Sequence, residues 1–243
     1  MDVVRTVPIL ALTAVFLVGS AACGQTEEVP DRAASPSGFA SPSDAGEPTP
    51  TPTPDKAAFK ADISKLTAAD LEHSWREGCP VPVSGLRLIT MPYWGFDGKT
   101  HEGGKLVVNA EVAQDVADTF GKLYKNKFPI RKMVPVDVYK GDDFDSIEAD
   151  NTSAFNCRPA TGSSNWSRHA YGMAVDINPC ENPYVSTSGE IAHPRCKKFY
   201  TDRSPAPGVI TSGDKTVRAF EAIGWQWGGY WAGTKDFQHF DKR

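Results

Sequence analysis

His169 and Asp176 stand seven residues apart in the stretch Ser-Arg-His-Ala-Tyr-Gly-Met-Ala-Val-Asp-Ile-Asn, Ser167 to Asn178. Far downstream, Asp236 and His239 stand three apart. A catalytic zinc ion takes three protein ligands and keeps one position open for water. Two imidazoles and one carboxylate, His169, Asp176 and His239, meet that need. Asp236 is then free to take a proton from the acidified water and pass it to a leaving amine. Attack on a peptide carbonyl also builds an oxyanion. Arg158, whose guanidinium stays charged, is the candidate to face it.

These readings compete with plainer ones. A single histidine is more often packed or exposed than bound to a metal. Asp176 carries more weight, because a carboxylate inside an apolar run needs a partner. His101 and His193 lie in polar stretches and read as surface residues, and His73, beside Glu72, reads as part of a solvated face. The aromatic run Trp225 to Trp231 reads as core packing. Arg158 can equally pair with the acidic run Asp142, Asp143 and Asp145.

Parity constrains the elements that hold the candidates. On one unbroken strand, residues seven apart point to opposite faces. Gly172 supplies a break, so His169 belongs to an approach loop and Asp176 to a strand. By the same rule Asp236 should lie in a turn just before the strand that carries His239.

The other elements follow from pattern. Thr67-Ala68-Ala69-Asp70 resembles a capping box opening a short helix through Trp75, which Cys79-Pro80-Val81-Pro82 breaks. Leu86 to Tyr93 reads as a strand and Gly95 to Gly104 as a loop. Asn109 is a candidate N-cap for a helix whose Val112, Val116, Phe120, Leu123 and Tyr124 form one apolar face. Lys125 and Lys127 suit its C-terminal end, and Pro129 stops it. Ile130 to Tyr139 reads as a strand. Asn178 to Ser204 reads as a long surface loop, and Ser212 caps a second helix that ends at Gly224. Irregular alternation of helices and strands implies α+β: a small antiparallel sheet with flanking helices and long loops.

The 243 residues suffice for one domain plus tails, and a net charge of -4 without a basic stripe gives no reason to invoke nucleic acid. Residues 1–23 read as a signal peptide: Val7 to Val18 is apolar, and Ser20-Ala21-Ala22-Cys23 resembles a lipobox whose Cys23 would be lipidated. The plainer alternative is cleavage after Ala22. Residues 24–55, ending in a Thr-Pro run, lack the apolar surface to fold. Such a linker could reach on the order of 100 Å if stretched. Residues 56–243 read as the folded domain. Without Cys23, four cysteines remain, which in an exported chain suggests two disulfides in one of three connectivities. Closeness in sequence pairs Cys180 with Cys196 and leaves Cys79 with Cys157.

Ser167-x-His169-x-x-Gly172-x-Ala174-x-Asp176, followed by Asp236-x-x-His239, resembles the zinc D,D-carboxypeptidases and dipeptidases of peptidoglycan. They belong to a wider LAS group with the L-alanyl-D-glutamate endolysins and the hedgehog signalling domain. The likeness extends to Asn151-Thr-Ser-Ala-Phe-Asn-Cys-Arg158, Asn178-Pro-x-x-Asn182-Pro-Tyr and Gly224-Trp-x-Trp-Gly-Gly, and spans roughly Leu66 to Lys242. It implies His169, Asp176 and His239 as Zn2+ ligands, Asp236 as acid and base, Arg158 as the carbonyl-polarising group and Ser167 as a substrate contact. Some relatives carry Glu where this chain has Asp236. The expected protein is a peptidase outside the cytoplasm, anchored through a lipid and acting on peptidoglycan stem peptides. Two alternatives are a zinc-containing wall- or partner-binding lipoprotein without catalysis, and a substrate-binding lipoprotein without metal.

Overall fold

A computed structural model describes residues 58–199 and 203–243. The expected signal segment, Cys23 and the linker lie outside the described residues. The elements are β1 (Asp62–Lys65), β2 (Leu86–Gly95), β3 (Thr100–Asn109), α1 (Ala113–Lys125), β4 (Pro129–Ile130), β5 (Lys132–Met133), α2 (Asp143–Glu148), β6 (Asn151–Thr152), β7 (Ala174–Asp176), β8 (Tyr184–Val185), α3 (Lys215–Glu221), β9 (Gln226–Trp227), β10 (Lys235–Asp236) and β11 (His239–Asp241), with short 3-10 turns between them. The architecture is mixed α+β with small sheets, mainly antiparallel, as the sequence implies. Two pairings are parallel, β2 with β4 and β5 with β6.

The floor is the antiparallel run β1-β2-β3. Ile89 faces Leu106 across the β2–β3 ladder and Leu88 faces Val107. Alternation sends these two pairs to opposite faces. Ile89 and Leu106 join the main core with α1, while Val107 joins a second cluster around Leu71, Val81 and Phe155. The register slips between Met91 and Tyr93, where Pro92 has no N–H to give and the partner strand carries Gly103 at φ 76°. On α1 the expected apolar positions Val112, Val116, Phe120 and Leu123 are buried, and the Phe120 ring meets Phe220 of α3 edge-on at 6.3 Å.

Several local expectations give way to identifiable competitors. The helix expected through Trp75 shrinks to a 3-10 turn, Ala68–Leu71, because the Asp137 carboxylate accepts the backbone N–H groups of His73 and Ser74 at 2.9 and 3.1 Å. The capping box of Thr67 and Asp70 itself is present. The expected loop Gly95 to Gly104 is a hairpin, so His101 sits on β3, stacked on Tyr93 and bonded to Asp97. Asn109 does not cap α1; its Oδ1 accepts from Glu111 N in the preceding turn. The expected strand Ile130 to Tyr139 splits into β4, β5 and a 3-10 turn after Pro135. The acidic run is the start of α2, with Asp142 as N-cap accepting from Asp145 N. Asp214, not Ser212, caps α3, while Ser212 donates to Tyr230.

Disulfides join Cys79 to Cys157 and Cys180 to Cys196. The segment from Asn178 is less superficial than its composition implies. Asn178, Glu181, Asn182, Val185 and Ile191 are buried, because the Asn182 amide serves the carbonyls of Ile177, Asn178 and Gly208.

Candidate metal centre

Ser167 opens a 3-10 turn over Arg168–Tyr171, and its Oγ accepts from His169 N at 3.3 Å. Gly172 ends the turn at φ 65°. A Cβ there would lie 2.5 Å from Asn109 N, so only glycine fits against the strand behind it. The break expected at Gly172 therefore exists: His169 comes from the turn and Asp176 from β7.

His239 arrives by register. β11 pairs antiparallel with β7 so that His239 faces Asp176 and Phe240 faces Val175. The first pair looks to the cleft and the second to the core, where the Phe240 ring stacks on Phe220 at 4.2 Å. A slip of one residue would turn His239 inward and leave Phe240 in the cleft. Asp176 is held from its other side as well, exchanging backbone hydrogen bonds with Ser153 at 3.0 and 2.9 Å.

The three side chains converge on one point. His169 Nε2 lies 3.2 Å from His239 Nδ1 and 3.1 Å from Asp176 Oδ2, and His239 Nδ1 lies 3.0 Å from Asp176 Oδ1. Zinc ligands at about 2.0–2.1 Å in tetrahedral array stand about 3.3–3.4 Å apart. The three separations are close to that spacing, the two to Asp176 running to its separate carboxylate oxygens; one ligand atom from each residue lies within 4.8 Å of the others, and the donor set fits the ion. The Ala154 carbonyl accepts from His169 Nδ1, which puts the proton on Nδ1 and leaves the Nε2 lone pair facing the centre. Burial opposes charge on His239. The hydrogen bond and negative charge of Asp176 outweigh it and lift the imidazole to about 9. Burial likewise opposes ionisation of Asp176, yet its two histidine partners hold it well below the usual carboxylate range. A divalent cation binding here displaces the proton that this cluster retains.

Asp236 lines the same cleft. It lies on β10, paired with Tyr184 of β8, and not in the turn expected from parity. Residues Phe237 and Gln238 carry the chain from that ladder into β11. The Gly224-Trp-x-Trp-Gly-Gly stretch supports it: a Cβ on Gly228 would meet the Asp236 carbonyl at 2.5 Å, and Trp227 Nε1 donates to the Phe237 carbonyl at 2.8 Å. Asp236 Oδ1 is shielded and without a partner. Burial above all pushes its carboxyl up to about 7; the Asp176 charge adds to this, and His239, His169 and Arg158 oppose it.

The cleft has a volume of about 730 Å³. Arg158 and Ser167 line it. The Arg158 guanidinium lies 2.8 Å from Asp143 of α2, so the plainer pairing with the acidic run is realised without removing the residue from the cleft. His193 corrects its surface assignment: it lines the cleft, 3.6 Å from Glu148 and against the Phe144 ring, because the loop that carries it is tied to Cys180 through Cys196. Trp231, Tyr184 and Gln238 also line it, and sequence reasoning missed all three as site residues. For Gln238 a signal existed, since it sits between Asp236 and His239.

Residues 161–242 match the D-alanyl-D-alanine carboxypeptidase family of M15 peptidases. No curated protein and no solved structure matches the chain.

Proposed function

We propose, for a chain whose residues 161–242 carry the D-alanyl-D-alanine carboxypeptidase domain of the M15 peptidases, that it is a zinc-dependent hydrolase of amide bonds in cell-wall stem peptides. The observation that carries this reading is the buried cluster of His169, Asp176 and His239 with Asp236, whose shielded Oδ1 has no partner, in the same cleft. Zinc, when bound, supplies Lewis acidity that acidifies water and polarises a carbonyl.

The chain's own groups do the rest. Asp236, lifted to about 7, is matched to proton transfer near neutrality, where a base must both accept and release a proton. It takes the proton of the attacking water and delivers it to the leaving nitrogen. Arg158 offers the positive charge for the developing oxyanion, with Asp143 holding its guanidinium at the cleft wall. Ser167, buried at the cleft edge, is a substrate contact and fixes the turn that carries His169. A non-catalytic zinc protein would have no use for a shielded carboxylate left unpaired beside the ligands.

Two disulfides suit an oxidising compartment outside the cytoplasm. The lipid anchor at Cys23 and the linker of residues 24–55 would hold the domain near the membrane while it reaches its substrate. Digestion of purified muropeptides, read by mass spectrometry with and without chelator, tests the reading. The expected result is loss of a D-alanine or of a stem fragment that chelator abolishes; unchanged muropeptides would overturn it.

A further inference from the structure

The reaction above leaves two polar groups of the cleft unused. Gln238 and Trp231 line it, and the Gln238 side-chain carbonyl and the Trp231 indole N–H are shielded without a hydrogen-bond partner. Gln238 is only 4% exposed. The local fold does not call for a polar side chain there. The flanking Phe237 and Phe240 pack into the core, and Gln238 already serves the sheet through its backbone carbonyl, which accepts from Ile177 N at 3.0 Å. Burying an amide carbonyl without a partner costs stability. An apolar side chain of the same size would make the fold more stable.

A ligand with matched groups offsets that cost. A primary amide offers both a donor and an acceptor, and an indole offers a donor only. Between them they complement the C=O and N–H of a peptide main chain. Their position suits this role: Gln238 stands in sequence between Asp236 and His239, and the Trp231 ring lies 5.3 Å from the His239 ring.

We propose that the Gln238 amide and the Trp231 indole N–H form a peptide-group subsite beside the metal centre, which binds the substrate main chain next to the bond that is cut. The proposal rests on the peptidase reading for the nature of its ligand. Its role is binding, so its loss falls on KM more than on kcat, and the unpaired amide carbonyl is a stability sacrifice made for recognition.

The test uses Gln238→Leu, which keeps the volume and removes the hydrogen bonds, and Trp231→Phe, which keeps a ring without the N–H. With a stem pentapeptide ending in D-Ala-D-Ala, each variant is expected to raise KM about 10-fold. The kcat should stay within about threefold, as expected for lost uniform binding. Zinc content should equal that of the parent, and the Tm of Gln238→Leu should rise. An unchanged KM, or a lowered Tm with parental KM, overturns the proposal. Calorimetric binding of the same pentapeptide separates this from failure of the peptidase reading. If the parent binds the peptide without cutting it and Gln238→Leu weakens binding, the subsite stands and the hydrolase assignment falls; if the zinc-loaded parent does not bind it, the subsite falls.

Discussion

Replacing Asp236 by asparagine separates chemistry from coordination. The side chain keeps its shape but can neither ionise nor shuttle a proton. General acid–base catalysis contributes roughly 10²–10⁴-fold, so kcat should fall by that factor, about 3–5 kcal/mol of transition-state stabilisation. The three ligand atoms are untouched, so zinc content should not change. Stability should move the other way. The folded carboxyl is raised from an ordinary 3.8 to about 7 by burial first of all. A raised folded pKa means the wild-type contribution is fully present below the unfolded pKa and is lost as pH climbs through about 7. At about 1.36 kcal/mol per pKa unit, discounted for the partial exposure of the residue, that loss is roughly 2–4 kcal/mol in the zinc-free protein. Urea unfolding of chelator-treated protein should therefore show Asp236→Asn more stable than wild type at pH 8, with little difference at pH 4. Hydrolysis of a D-Ala-D-Ala peptide and elemental analysis complete the assay. Full activity with zinc in place, or a loss of zinc proportional to the loss of activity, would refute the assignment.

Four further outcomes follow. Chelation should abolish hydrolysis and zinc should restore it. Free zinc at 100 times its Kd should add about 2.7 kcal/mol to unfolding stability in the wild type and far less in His239→Ala. Gly172→Ala forces a Cβ to within 2.5 Å of Asn109 N at φ 65°. It should cost about 1–3 kcal/mol and weaken zinc binding by displacing His169, both measurable by denaturation and metal titration. Glu181, lifted to about 7 by burial first and by its contact with Asp150, should lose stability for the fold as pH rises from about 4.5 to about 7. Glu181→Gln should flatten that fall, roughly 1–3 kcal/mol, in the pH dependence of urea midpoints; an equal slope in both proteins would show that the group does not titrate there.

The three side chains that meet at the centre were legible in the chain because few residue types bind metals and because Gly172 forces a break between His169 and Asp176. The apolar face of α1 was legible for a similar reason: its spacing repeats locally, and nothing distant competes with it. Other local signals lost to partners far along the chain. Asp137 captured the N–H groups of His73 and Ser74 and cut a helix short, and the closed hairpin turned a loop containing His101 into strand.

The meeting of Asp176 with His239, 63 residues apart, is a fact of register. It is decided by Phe240 and Val175 filling the core, not by any feature of the two ligands. The same holds for Asp236, which Gly228 and the β8 ladder hold in place, and for His193, which a disulfide-tied loop carries to the cleft wall. Residue types and local spacing thus set which groups can do the chemistry. Packing between distant strands decided which of them share one cleft, because burying aromatic side chains dominates the free energy that selects the register.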